Sequence, residues 1–439
     1  MSVDIEKKNI RKKITNLYRD SEEITEKQYR NSRAMFIADS CVSTQIFTVT
    51  SGAFLSGLAY LAGASTAWVA IISALPTLMN VVQILSSVVY ENRTSSKKIT
   101  IQFAVIQRLC LISMLFVPML PWRKDAVVAL IAVLYSCAHF CGAFINTGAN
   151  NWLMSLAQKS RLGRYLGIKD SLVLVASTAG SLCLSKVLDS YRAVDREMTG
   201  FQIIGIISIG FFILDFIFLS LIVEPKNKMP EQRLRIKSAI LMPLKDAKYQ
   251  KVIVFYLIWS IASNIAGPFF SIYMLEDLGL SYFYITIMNM VASIGRMVAS
   301  LIWGKIADTC SWNLVTSASI AMLGVAYIGW SILTKENCTY WLPIVQCVSG
   351  IAWGGIGIST FRLQFEHAPQ EHKVSYVSFC STMAGVAGFL ASMLGSGFVA
   401  AFQEVTIGSI TIHNIQVIFL ISAFGILASA IYSKKFKEI

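Results

Sequence analysis

The stretch KNKMPEQRLRIKSAILMPLKDAKYQK, residues 226–251, decides how this chain is read. It carries eight basic residues: Lys226, Lys228, Arg233, Arg235, Lys237, Lys245, Lys248 and Lys251. On each side of it the sequence breaks into six apolar segments. They run near 34–61, 65–90, 99–120, 126–155, 165–188 and 200–223, then 249–275, 281–305, 313–334, 340–363, 374–402 and 411–433. A helix needs about 20 apolar residues to cross a bilayer, and every segment reaches that length. None shows the period-2 alternation of a barrel strand. The expected fold class is an all-α integral membrane protein with twelve transmembrane helices in two six-helix bundles. The expected units are a cytoplasmic tail (1–33), a first bundle (34–223), a basic linker (224–248) and a second bundle with a short tail (249–439).

Composition agrees. Hydrophobic residues make up 55% of the chain and charged residues 14%, against about one quarter charged in a soluble domain. The net charge of +13 does not indicate nucleic acid, because the basic residues sit in short connections between apolar runs. With the N-terminus inside, the tail, the central stretch and Arg93, Lys97, Lys98, Lys159, Arg161, Arg164, Lys305, Arg362, Lys373, Lys434, Lys435 and Lys437 all fall on the inner side. Only Arg123, Lys124, Arg192, Arg196 and Lys335 fall outside. That bias orients the protein with both termini cytoplasmic, in the cytoplasmic (inner) membrane. The charged first 33 residues have no apolar core of a signal peptide. The nine cysteines show no metal-ligand spacing and read as small buried hydrophobes.

The connections at the ends of the second and eighth segments carry a further signal. After the eighth comes Gly304-Lys305-Ile306-Ala307-Asp308, and after the second a degenerate counterpart, Ser87, Glu91, Arg93, Lys97 and Lys98. The pattern resembles the G-x-x-x-D-R-x-x-R-K motif of the major facilitator superfamily, and the resemblance spans roughly residues 34–433. The connections Gln158–Tyr165 and Pro369–Tyr376 also match each other faintly, each placing basic residues before a tyrosine, as duplicated halves would. The resemblance implies two pseudo-symmetric bundles. It also implies cytoplasmic latches: Asp308 against the start of the fifth helix near Arg164–Leu166, and Glu91 against the start of the eleventh near Lys373–Ser375, with Arg93, Arg161 and Arg164 as further gating candidates. The fourth helix lacks the arginine, and the fifth the G-P-x-x-G-G run, of the drug/proton antiporters in that superfamily.

Polar groups inside lipid are costly, so those present are candidate functional residues. The resemblance places the first, fourth, seventh and tenth helices around a central cavity, and helical spacing puts a polar stripe on each. These are Asp39, Ser43 and Thr50; His139, Asn146 and Asn150; Tyr256, Ser260, Ser263 and Asn264; and Gln346, Ser349, Trp353 and Thr360. The substrate-binding candidates are His139, Asn146, Asn150, Tyr256, Asn264, Arg296, Gln346 and Trp353. Arg296 suits an anionic group, while Trp353 and Tyr256 suit stacking on a planar or sugar-like ring. His139 either carries a proton or donates a hydrogen bond to a neighbouring helix. Asp39 and Arg108 lie at similar depths and form either a structural pair or a proton-coupling site. Asp215, in the sixth segment, has no evident partner.

No phosphate-binding loop of the G-x-x-x-x-G-K-[ST] type occurs, so transport must be driven by a gradient or by the solute itself. The expected function is secondary active, ion-coupled uptake of a small polar organic solute, with a proton or sodium ion as co-substrate. The expected protein is a monomer in the bilayer with no cofactor and no metal. Efflux of a small organic molecule, and a transporter-like membrane sensor, are the alternatives. No span carries a catalytic constellation, so an enzyme is not expected.

Overall fold

Serines at the short connections start several helices. Ser65, Ser281 and Ser311 each accept the N–H of the residue three positions on, at 3.4, 3.1 and 3.4 Å. Each satisfies a donor that would otherwise enter lipid unpaired. The computed structural model describes residues 25–91, 93, 95–156, 162–224, 236–369, 373–402, 405–407 and 410–434. The first span is α1 (Glu26–Thr48) and α2 (Gly52–Leu61); the second is α3 (Thr66–Met79) and α4 (Val82–Glu91). The next four are α5 (Lys97–Met114), α6 (Lys124–Leu156), α7 (Leu162–Arg192) and α8 (Glu197–Leu221). A linker helix, α9 (Ile236–Lys245), lies within the basic stretch. The seventh span comprises α10 (Ala247–Ala266), α11 (Phe269–Ile272) and a π-helical turn at Tyr273–Asp277. Then follow α12 (Tyr282–Thr309), α13 (Trp312–Ser331), α14 (Cys338–His367), α15 (Lys373–Ala401) and α16 (Asn414–Ser433).

Among the described residues, eleven spans are long and apolar enough to cross a membrane. The exception is the third: α5 has 18 residues and includes Lys97, Lys98 and Arg108. At 1.5 Å per residue it is about 27 Å long, which still matches the hydrocarbon thickness. It packs against α6 and α8, which cover its polar side. Three boundaries differ from expectation. The first helix begins at Glu26 rather than 34, inside the expected tail, where Thr25 caps it. The third helix ends at Met114 rather than 120, and a short 3-10 turn with Pro118 follows. The last helix begins at Asn414, because Ile410–Ile412 (β2) pairs antiparallel with Val405–Ile407 (β1). Large apolar side chains that point outward, such as Ile206, Ile213, Val298 and Leu301, face where lipid would lie.

The end of the sixth span is tied to the start of the third. The buried Glu224 carboxylate accepts the N–H groups of Ser96 and Lys97 at 2.8 and 2.7 Å and the Ser95 hydroxyl at 2.8 Å. Lys97 Nζ donates back to the carbonyls of Ser220 and Ile222 at 2.9 and 2.7 Å. The carboxylate caps α5 and meets the positive end of its dipole. Glu224→Ala should cost about 2 kcal/mol, read as a lower thermal unfolding midpoint of the detergent-purified protein. An unchanged midpoint would refute the capping role.

Three spans are interrupted: the first between Thr48 and Gly52, the second at Asn80–Val81 and the seventh at Gly267–Pro268. Gly52 has φ +55°, which a side chain would strain. Helices α1–α8 form one bundle and α10–α16 the other. The bundles meet where α3 and α4 pack on α15, where α7 packs on α12, and where α2 packs on the outer part of the seventh span. With twelve crossings, the described chain ends lie on one face, the terminal face; the opposite one is the distal face.

Candidate functional site

The polar stripes line two cavities, one in each bundle. The first, of about 480 Å³, is bounded by the first five spans. Its polar wall includes Asp39, Ser40 and Ser43 from α1, Thr77, Asn80 and Gln83 from the second span, Gln107 and Arg108 from α5, His139 and Asn146 from α6, and Lys169 from α7. The break in the second span exposes Asn80 to this space. The His139 ring packs edge-on against Tyr135 at 4.5 Å. Asn150 lies further along α6, and its side chain falls outside the described residues.

Three buried ionisable residues meet at this wall, Asp39 and Arg108 within it and Asp215 behind. Arg108, Asp39 and Asp215 are 4%, 8% and 2% exposed. The Arg108 guanidinium reaches Asp215 Oδ1 at 3.4 Å, donates to Gln107, and lies 5.0 Å over the Phe47 ring. Asp215 is thus the ion partner of Arg108, and the expected two-membered group of Asp39 and Arg108 is a three-membered one. Asp39 lies within electrostatic reach of both, and its Oδ1 is buried without a hydrogen-bond partner.

The second cavity, of about 510 Å³, lies in the other bundle. Trp259, Phe270, Tyr327, Trp330 and Trp353 form its aromatic walls, and Ser263, Asn264, Asn289, Gln346 and Ser349 supply polar groups. Trp259 and Trp353 stand edge to face at 6.0 Å. Among the described residues, no Asp, Glu, Lys or Arg lines this space. Two expected binding residues stand outside both walls. Arg296 is on the exposed side of α12. Tyr256 donates its hydroxyl to the Thr360 carbonyl at 2.7 Å, tying α10 to α14.

The two bundles are joined at the distal face by a contact set that the sequence reading missed. Asp189, near the end of α7, accepts the N–H groups of Tyr282 and Phe283 at 2.9 and 2.8 Å. The Tyr282 hydroxyl donates to Glu197 at 2.6 Å. Its ring stacks on Phe54 at 5.5 Å and lies under the Arg192 guanidinium, also at 5.5 Å. It fills the space that Gly57 leaves by having no side chain. Tyr282 opens the second bundle's α12, and the residues that hold it here, Phe54, Asp189, Arg192 and Glu197, belong to the first bundle. At the other end of α12, a Cβ on Gly304 would meet nothing within 4 Å. Of the expected terminal-face latch, Arg93 is exposed, while Arg161 and the side chains of Glu91, Asp308 and Arg164 fall outside the described residues.

The family model of the Major Facilitator Superfamily matches residues 109–392 and 252–436. The chain belongs to the major facilitator superfamily. No curated protein sequence matches it. Among solved structures, a variant of the nucleoside transporter NupG is 12% identical, with a TM-score of 0.72 over 92% of this chain and 98% of that one. A bacterial homologue of the iron transporter ferroportin, in its inward-facing state, is 10% identical, with a TM-score of 0.71 over 94% and 99%. That homologue in its outward-facing state gives 0.59 at 12% identity, over 92% and 98%. A D-xylose-proton symporter is 12% identical, with a TM-score of 0.62 over 93% and 96%. These likenesses establish the superfamily fold, and membership makes the chain a multi-pass membrane transporter.

Proposed function

We propose that this superfamily member is a monomeric secondary active transporter that imports a small, uncharged polar organic solute, coupled to an ion, by alternating access. The observation that carries this is the pairing of a polar cavity in each bundle with a polar latch between the bundles at the distal face. The solute would be held between the amide-and-aromatic wall of the second bundle and the polar wall of the first. The Tyr282 latch would close the distal side while the terminal side admits the cavity to water. Charge bias supports a cytoplasmic terminal face, so the arrangement corresponds to an inward-open state of a protein in the cytoplasmic membrane. The higher score against the inward-facing ferroportin homologue agrees. In the outward-open state, Asp308 and Glu91 would take over as latches, with Arg93, Arg161 and Arg164 beside them. The solved relatives that carry nucleosides and xylose support a neutral ring-bearing solute, as do the aromatic and uncharged polar side chains that line the second cavity.

Purified protein in proteoliposomes should take up radiolabelled uridine or D-xylose above empty vesicles. Binding without flux across a wider panel of neutral solutes would overturn transport in favour of a sensor. Trp353→Ala removes an aromatic face and should weaken solute binding about tenfold, measured by titration calorimetry. An unchanged Kd would remove Trp353 from the site.

A further inference from the structure

The linker helix α9 (Ile236–Lys245) has an apolar side that no described residue covers. Ile236, Leu241, Met242 and Leu244 are 43%, 39%, 38% and 43% exposed. At 3.6 residues per turn, Ile236, Leu241 and Leu244 share one half of the helix with Lys237 and Lys245. Pro243, on the other half, is buried against the protein. Lys248 and Lys251 follow in the first turns of α10, and all four lysines are exposed. Among the described residues, none of the four has a carboxylate within ion-pair distance. Only Glu231 and Asp246 oppose the eight basic residues of the stretch. The Asp246 carboxylate is turned to the cap of α10, where it accepts the N–H groups of Lys248 and Tyr249 at 2.9 and 3.2 Å.

The helix is held at the edge of the bilayer. Asp246 alone separates it from α10, and the seventh span is apolar from Ala247 onward. Tyr376, at the start of α15, donates its hydroxyl to the Met242 carbonyl at 3.4 Å, and Gln250 Nε2 donates to the Leu244 carbonyl at 2.8 Å. The helix packs on α10 and α15 of the second bundle and on α4 of the first. Its exposed side therefore sits where hydrocarbon gives way to headgroups. Water would leave the aliphatic groups unburied, and a neutral apolar partner would leave the ammonium groups unpaired. An anionic lipid surface satisfies both, because aliphatic groups enter the acyl boundary while lysines reach up to the phosphates. We infer that α9 docks on the bilayer surface at the terminal face and binds the headgroups of anionic phospholipids. Ile236, Leu241 and Leu244 enter the lipid, and Lys237, Lys245, Lys248 and Lys251 hold the phosphates. Lys226, Lys228, Arg233 and Arg235, which precede α9 in the sequence, add to the attraction. The docking does not depend on which solute the protein carries, or on whether it carries one.

The test uses the full-length protein, with its native cysteines replaced, in nanodiscs of phosphatidylcholine alone or of phosphatidylcholine mixed with phosphatidylglycerol. A spin label at Leu241→Cys reports whether this side of α9 lies in lipid, through its relative accessibility to oxygen and to a water-soluble nickel complex. The label should be buried in lipid when phosphatidylglycerol is present and more exposed to water in phosphatidylcholine alone. Lys237→Gln, Lys245→Gln and Lys248→Gln combined should lower the ratio of buried to water-exposed label at least tenfold, since each lysine contributes about fivefold near an anionic surface. All three side chains are exposed, so the combined variant should fold. Lys335→Gln removes an exposed lysine at the distal face and should leave the ratio unchanged. A label that stays in water in both bilayers overturns the docking. Burial that is equal in the two bilayers, or that survives the combined lysine substitutions, overturns the assignment to anionic lipid.

Discussion

Tyr282→Ala should release the distal face. The substitution removes a hydroxyl bond to the Glu197 carboxylate at 2.6 Å and the ring stacked on Phe54. A hydrogen bond to a charged group contributes about 1.5–3 kcal/mol and an aromatic pair about 1 kcal/mol. A net loss of about 2 kcal/mol shifts the balance of open and closed states about 30-fold. Tyr282→Phe keeps the ring and should give a smaller shift. Asp189→Ala removes two backbone bonds at the same helix start and should act in the same direction. The readout is the distance between spin labels at Val194→Cys and Tyr340→Cys, in a background whose native cysteines are replaced. Both positions are exposed, on opposite bundles. The unmodified latch should give a short, narrow distribution and Tyr282→Ala a longer, broader one. Identical distributions would show that Tyr282 does not hold the bundles together.

Gly350→Val should be the most damaging single change to the second bundle. A Cβ at Gly350 would stand 2.1 Å from the Ala292 carbonyl oxygen, and one at Gly354 2.8 Å from that of Arg296. The two glycines are four residues apart on α14 and let its backbone lie against α12, as small residues do in membrane helix pairs. The opposing atoms are main chain, so no side chain can turn aside. Forcing the helices apart should cost about 3 kcal/mol, seen as a lower unfolding midpoint and poor recovery of folded protein. Gly210→Ala is the contrast, since nothing lies within 4 Å of its added carbon. It should leave the midpoint unchanged or raise it slightly. A Gly350→Val protein as stable as the parent would mean that the crossing is looser than drawn.

The alternation of apolar runs and basic connections was enough to read the fold, because lipid imposes a simple rule: a span must be long, apolar and helical. The third span strained that rule, since Lys97, Lys98 and Arg108 occupy a helix of 18 residues. Only the packed structure shows why it holds, with Glu224 capping its start and Asp215 meeting its arginine. The polar stripes on α1, α6, α10 and α14 were legible through helical spacing, and most of their members do line the cavities. Tyr256 departed because its hydroxyl found a main-chain acceptor on α14, and Arg296 because its face of α12 points away. Asp215 stood out in the sequence as a charge in an apolar helix, but its partner lies 107 residues away. No periodicity within one helix reports such a neighbour.

The sequence by itself determined the number and order of the spans, the side on which positive charge collects, and which helix faces are polar. These follow from solvent partition and from the 3.6-residue repeat, both local properties of the chain. The tertiary structure alone decided which charges share a buried site and which side chains join the two bundles at the distal face. Asp189, Glu197 and Tyr282 read as ordinary residues near loop ends. They become a latch only when α7, α8 and α12 bring them within hydrogen-bond distance. That proximity depends on how two bundles pack, and short-range electrostatics act on distance in space rather than separation along the chain.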